Sequence, residues 1–278
     1  MATVSDAVQL EPLHRLRRSV RQAPVGFGLT SLYLSLVVLI PLAALIGQAA
    51  GTWDQGGWLA ISNPQTLAAL ELTVGTSVLV TLVNMVVGTA TAWVLVRDTF
   101  AGRSILDAAI DLPLALPTIV AGLTLLALYG PNSPLGVNVA YTRLAIVLAL
   151  LFVTFPFVVR TVQPVLIALD PEVEAAARTM GAGGWTLFRH IILPQLWPAL
   201  LSGAALAFAR ALGEYGAVVL LSGNIPFSTQ LASVYIFGEV EQGSTGSAAA
   251  ISLVLLVLTV VALVGVDVLR RRWNSYAD

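Results

Sequence analysis

The sequence of 278 residues contains no cysteine and no lysine, and only two histidines, His14 and His190. Without cysteine there is no disulfide, no thiolate nucleophile and no cysteine-ligated metal. Two histidines so far apart in the chain offer no histidine-based metal site either. Charge of both signs is scarce: 10% of the residues are charged, against about 25% in a soluble domain. The net charge of −1 points to neither a nucleic-acid surface nor an acidic tail. What fills the chain instead is apolar. Hydrophobic residues make up 57% of it and the mean hydropathy is +0.87, the composition of an integral membrane protein.

A membrane helix needs roughly 20 apolar residues to cross about 30 Å of hydrocarbon. Runs of that kind lie at Gly26–Gln48, Leu72–Val96 and Leu112–Thr142, the last holding a span and the loop "YGPNSPLG". Three more follow at Leu144–Val159, Ile191–Gly223 and Gln242–Val266. Backbone polar groups in lipid must be satisfied within the segment, so the runs predict an all-α bundle of six transmembrane helices. The first run is longer than a leader's apolar core, which reads as a span rather than a cleaved signal. The basic "LHRLRRSVRQ" before it reads as an anchor on the inner surface.

Arginine sets the orientation. With both termini inside, Arg15, Arg17, Arg18, Arg21, Arg97, Arg103, Arg160, Arg178, Arg189, Arg270, Arg271 and Arg272 are cytoplasmic. Only Arg143 falls outside, and Arg210 lies within a span. The expected domains are therefore a cytoplasmic segment 1–25, a six-helix membrane domain 26–269, and a cytoplasmic tail 270–278.

This topology puts a polar loop, 170–194, in the cytoplasm between spans four and five. "DPE" at Asp170–Glu172 starts a helix, with Asp170 as cap and Pro171 at the first helical position. Val173, Ala176, Ala177 and Met180 recur at helical spacing and predict one small apolar face. Glu174 and Arg178, four residues apart, are expected to pair on the solvent side. Gly181 stops the helix and Gly183–Gly184 turns the chain. Trp185, Phe188 and Ile192 form a second stripe leading to Pro194. Composition alone fits an amphipathic connector lying on the headgroups equally well. A face of alanine, valine and methionine, however, suits close approach to a protein groove.

The stretch "AAARTMG", nine residues and "IILP" resembles the EAA loop of bacterial ABC-importer permeases. Ala176, Ala177, Gly181, Ile191, Leu193 and Pro194 match that pattern at its spacing. The acidic position falls on Ala175, and the glutamate, Glu174, stands one residue earlier. The resemblance extends over "YLSLVVLIPLAAL" (33–45), "DLPLALPTIVAGLTLLALYG" (111–130) and "FARALGEYGAVVLLSGNIPFSTQLASVYIF" (208–237). It is to the sulfate/thiosulfate importer permease, T-type subunit. This implies a type I ABC-importer permease fold whose 170–194 loop is a coupling helix inserted into a cytoplasmic ATPase. It also implies a W-type permease as heterodimer partner, two ATPase subunits and an extracytoplasmic sulfate-binding protein. The bacterial inner membrane would be its location. The chain has no G-x-x-x-x-G-K-[ST] phosphate loop, so ATP belongs to the partner and this subunit is expected to be neither an enzyme nor a cofactor carrier. The molybdate permeases share the R-A-L-G-E-aromatic-G and G-N-hydrophobic-P elements, which keeps molybdate or tungstate as an alternative cargo.

Arg210 and Glu214 are the charges deepest in a span. They read either as a self-neutralising pair that fixes span five against a neighbour, or as a tempered cation at the pathway or dimer seam. Pro113, Pro117, Pro156 and Pro164 are expected to interrupt spans three and four, for packing or as a gate. In "LPTIVAG", Thr118 and Gly122 could offer hydroxyl and backbone donors to an oxyanion, and Pro117 and Thr118 join Arg210 and Glu214 as candidates for the pathway or seam. Asp107 and Asp111 are expected to be solvated, and Glu71 to mark the outer edge of span two. The segments 129–136 and 237–247 are expected as outer loops. An ion-coupled secondary transporter would show two related halves with broken helices; no internal repeat is evident. A membrane hydrolase would need a nucleophile–base set, and none is present.

Overall fold

The computed structural model describes residues 23–274, and within them every regular element is a helix. The basic anchor expected at residues 13–22, with the rest of the segment up to residue 22, and the last four residues of the tail lie outside the described residues. Five helices are long and apolar enough to cross a membrane, and a sixth candidate is a bent pair.

Helix α1 runs Gly26–Gly51 and α2 runs Pro64–Arg97. The second begins eight residues before the apolar run because Asn63 caps it, its side chain accepting from the Gln65 N–H at 2.9 Å, and Pro64 follows at the first position. At 34 residues α2 is about 51 Å long, well beyond the hydrocarbon thickness. The third run is not one straight span. Helices α3 (Arg103–Ile110) and α4 (Leu112–Ala115) form one limb, α5 (Thr118–Tyr129) the other, and the chain bends by 115° between them. Leu116 is extended (φ −79°, ψ 137°) because the ring of Pro117 disfavours helical backbone before it.

Helix α6 (Arg143–Ala168) continues unbroken through Pro156 and Pro164, so these prolines do not interrupt the span as the sequence suggests. Helix α7 (Pro171–Thr179) is the expected loop helix. Span five is α8 (Gly184–Leu212), broken at Gly213–Tyr215 before the short α9 (Gly216–Leu221). Residues 237–241 of the expected outer loop 237–247 instead belong to α10 (Ala232–Glu241), and α11 (Thr245–Asn274) is the last described helix.

Two of the long helices contain a π turn, Ser35–Leu39 in α1 and Phe188–Ile192 in α8. In both a proline follows within two residues, Pro41 and Pro194. A proline donates no N–H to the carbonyl four residues back. The chain takes up an extra residue and closes the turn one residue later: Ile40 N–H reaches Ser35 O, and Leu193 N–H reaches Phe188 O.

The core lies between α2, α6 and α8, with α5 and α9 packed on its flank. Ile146, Leu150, Val153, Val80 and Ala211 form one buried cluster, Leu95, Val158, Val162, Leu196 and Leu200 a second, and Ala69, Leu70 and Ala232 a small third. Helix α1 exposes Phe27, Leu32, Leu36 and Ile40 around its circumference, as lipid contact requires. Two buried polar pairs join helices: Asn84 donates to the Thr154 hydroxyl at 2.7 Å, and the Thr73 hydroxyl accepts the Ala232 N–H at 2.8 Å.

Close contact between α5 and α9 depends on Gly122. A Cβ there would lie 2.7 Å from Ala217 O and 3.0 Å from Ala217 Cα. Gly122→Ala is expected to destabilise the detergent-solubilised chain by about 1–3 kcal/mol, since backbone cannot move aside as a side-chain tip does. Thermal unfolding of the variant, with an unchanged midpoint as the contrary result, checks this contact.

Candidate functional site

The 170–194 loop is built as its local signals require. Asp170 accepts the Glu172 N–H at 2.9 Å and caps α7. Gly181 adopts φ +87°, a conformation that costs glycine nothing, and its N–H closes on Arg178 O at 3.0 Å while Ala182 N–H reaches Ala177 O. The side chains distribute differently from the expectation. Ala177, 3% exposed, turns inward and packs in the cluster of Leu166, Leu187 and Ile192. Val173, Ala175, Ala176 and Met180 face outward, Met180 being 82% exposed. The single apolar face is thus two faces, one binding the helix to its own chain and one left open. The second stripe divides in the same way. Ile192 is buried, Phe188 half-buried, and Trp185 stands 71% exposed while stacking on Phe188 at 5.8 Å.

Glu174 does not pair with Arg178. Its carboxylate accepts from Arg97 Nη2, at the last residue of α2. The Arg97 guanidinium also lies 5.5 Å from the Trp93 ring, and Trp93 meets Phe188 edge-on at 5.8 Å. Ile191 and Leu193 are half-buried and pack against the inner cluster, and Pro194 opens the regular part of α8 behind the π turn.

Of the second candidate group, the structure brings all four members into one neighbourhood. Arg210 Nη1 lies 2.7 Å from Glu214 Oε2. Glu214 is 0% exposed, and its Oε1 accepts the Ala217 N–H at 2.8 Å, so the carboxylate also tethers the first turn of α9. Its carbonyl accepts from the Ser233 hydroxyl at 2.6 Å. Two residues on, Gly216 is crowded by Thr118, and a Cβ at that glycine would lie 2.9 Å from Ile119 N. The break at Pro117 and the break at Gly213–Tyr215 therefore lie side by side, and α5 and α9 run together from there. Gly122, considered as a donor to an oxyanion, is instead closed off by α9.

Sequence reasoning missed two groups. Asp107 and Asp111 are not simply solvated. Arg160 donates to Asp111 through Nε (2.7 Å) and Nη2 (2.6 Å), and to Asp107 through Nη1 (2.7 Å), with Gln163 completing the cluster. The signal was available: two acids one turn apart, Asp107 and Asp111, and an arginine in the last third of α6. The second group lies at the end of the bundle opposite the 170–194 loop. There a cavity of about 620 Å³ is lined by Glu71, Thr76, Arg143, Phe227 and Gln230. Arg143 Nε donates to Ser228 O at 3.1 Å, and Gln65 to Gln230 at 2.7 Å. No spacing rule joins these residues, which come from α2, α6 and the loop before α10.

Residues 84–275, most of the chain, match the family described as the binding-protein-dependent transport system inner membrane component. The chain belongs to that family. Among relatives of this permease, the sulfate transport system permease protein CysT of Escherichia coli (strain K12) is 42% identical, over 93% of this chain and 96% of that one. The protein of the same description from Synechocystis sp. is 41% identical over 91% of each. Among solved structures, a bacterial ABC transporter for import of the polysaccharide alginate superposes with a TM-score of 0.73 at 16% identity, covering 93% of this chain and 99% of its own. The MetNI methionine ABC transporter gives 0.59 at 16%, covering 76% and 99%. These two likenesses establish the type I importer permease fold. As a member of the family, the permease is a membrane component and not an enzyme.

Proposed function

We propose that this permease is the T-type membrane subunit of an ATP-driven importer of sulfate, with thiosulfate as a second cargo. Its partners in this reading are a W-type permease, two cytoplasmic ATPase subunits and an extracytoplasmic binding protein. The observation that carries it is the 42% identity, over nearly the full length of both chains, to a protein described as a sulfate transport permease. The orientation with both termini inside, inferred from the arginines, places the 170–194 loop where an ATPase can dock. Support for docking comes from the open face of Val173, Ala176 and Met180 beside Trp185. Gly181, Ile191, Leu193 and Pro194 fix the angle at which that face leaves the bundle. Arg210 and Glu214, with Pro117 and Thr118, form the pathway or the seam between the two permeases. The fully buried carboxylate tempers the cation there, so that a passing dianion is not trapped.

The test is reconstitution in proteoliposomes with the W-type permease, the ATPase and the binding protein. ATP-dependent uptake of radiolabelled sulfate, resistant to excess molybdate and competed by thiosulfate, is the expected result. Uptake by this chain alone without an ATPase, or preferential competition by molybdate, would overturn it.

A further inference from the structure

In the loop pattern that this chain resembles, the acid stands at the position of Ala175; here it stands at Glu174. Consecutive residues of an α-helix point about 100° apart around its axis. A displacement of one residue therefore carries the acid off the open face, which Ala175 and Ala176 share, and towards the side on which Ala177 is buried. The structure shows what receives it there. The Glu174 carboxylate closes on Arg97, and both side chains are largely sequestered, 13% and 24% exposed. Arg97 has no other ion-pair partner among the described residues, and its Nε is buried without a hydrogen bond. The flank of the guanidinium rests on Trp93, which meets Phe188, which stacks on Trp185. Both limbs of the loop are thus fastened to the same end of α2: α7 by the ion pair, and the start of α8 by the aromatic contacts.

We infer that Glu174 is a positioning residue that acts within the permease rather than on the partner. It ties α7 to Arg97, so that a displacement of α7 is passed to α2 as to a rod. That helix runs without a break to Glu71 and Gln65 at the opposite end of the bundle, where the Arg143 cavity lies. The inference rests on the reading of 170–194 as the ATPase-docking loop, and it removes Glu174 from the docking surface, leaving Val173, Ala176 and Met180 there.

The experiment compares R97Q, E174Q and the charge exchange R97E/E174R in the reconstituted complex. It follows co-purification of the ATPase, basal ATP hydrolysis, and stimulation of hydrolysis by loaded binding protein. Each single variant is expected to retain the ATPase and its basal rate while losing stimulation by about tenfold, which is about 1.4 kcal/mol. The exchange is expected to restore it. If E174Q releases the ATPase while R97Q behaves as wild type, and the exchange fails to rescue, Glu174 faces the partner and the inference falls. Because the chain has no cysteine, R97C/E174C offers a second measurement free of the charges. Bridging the two thiols with a short bifunctional reagent should restore stimulation, and an active complex in which these thiols cannot be bridged would overturn the tether. Failure of the docking reading would show separately, as a wild-type permease that does not retain the ATPase.

Discussion

Gly181→Pro is expected to abolish transport-coupled ATP hydrolysis while leaving the chain inserted in the membrane. Proline fixes φ near −65°, whereas Gly181 requires +87°. The substitution also removes the N–H that closes on Arg178 O. The local cost is about 3 kcal/mol or more, and it falls on a turn outside the bundle core. Helix α7 would no longer be held at its angle to α8, and the face of Val173, Ala176 and Met180 would point away from its partner. Stimulated hydrolysis by the reconstituted complex, measured beside protease protection of the inserted chain, separates the two effects. Undiminished stimulation would show that the angle of α7 is not what couples the subunits.

Arg210→Met is expected to be the most destabilising single change among the charged residues of the spans. It would leave the Glu214 carboxylate, 0% exposed, with no cationic partner among the described residues. Breaking a buried pair from one side costs about 3–5 kcal/mol, because the remaining charge stays desolvated. Glu214→Gln should cost much less. Glutamine keeps an oxygen for the Ala217 N–H, and the Arg210 side chain, 34% exposed, retains a route to polar surroundings. The two variants should therefore unfold at clearly different temperatures in detergent, with Arg210→Met the lower. Equal losses would show that the pair matters only as a mutual contact.

Much of this architecture is legible in residue order because lipid simplifies the problem. A run of apolar residues near Gly26 or Leu144 can be little other than a helix, and Asp170, Pro171 and Gly181 bound α7 by purely local chemistry. Where local chemistry met tertiary packing, the sequence was ambiguous. The periodicity of Val173, Ala176, Ala177 and Met180 is real, but spacing does not say which side of a short helix its own bundle claims. The choice of partner for Glu174 has the same origin. Arg178, four residues away, is the obvious candidate by sequence, and Arg97, 77 residues away, wins because α2 ends beside α7. Proline was over-read. Pro156 and Pro164 lie within a helix that neighbours hold together, whereas Pro117 breaks one, since only there does the preceding residue turn extended. The cluster of Arg160 with Asp107 and Asp111 is not legible in residue order, because charge placement sorts each residue by its side of the membrane and says nothing of its neighbours.

The π turn at Phe188–Ile192 has a consequence for how the loop is addressed to the span behind it. An inserted residue advances the phase of every side chain beyond it by about 100° relative to an uninterrupted helix. It sets the bearing of Trp185 against that of Leu196 and Leu200, much as a spline sets one shaft against another. The nine residues between Gly181 and Ile191 therefore measure an angle as well as a length. Removing one residue from this stretch would shorten it by only about 1.5 Å, yet it would swing the open face of the loop through more than a quarter of a circle.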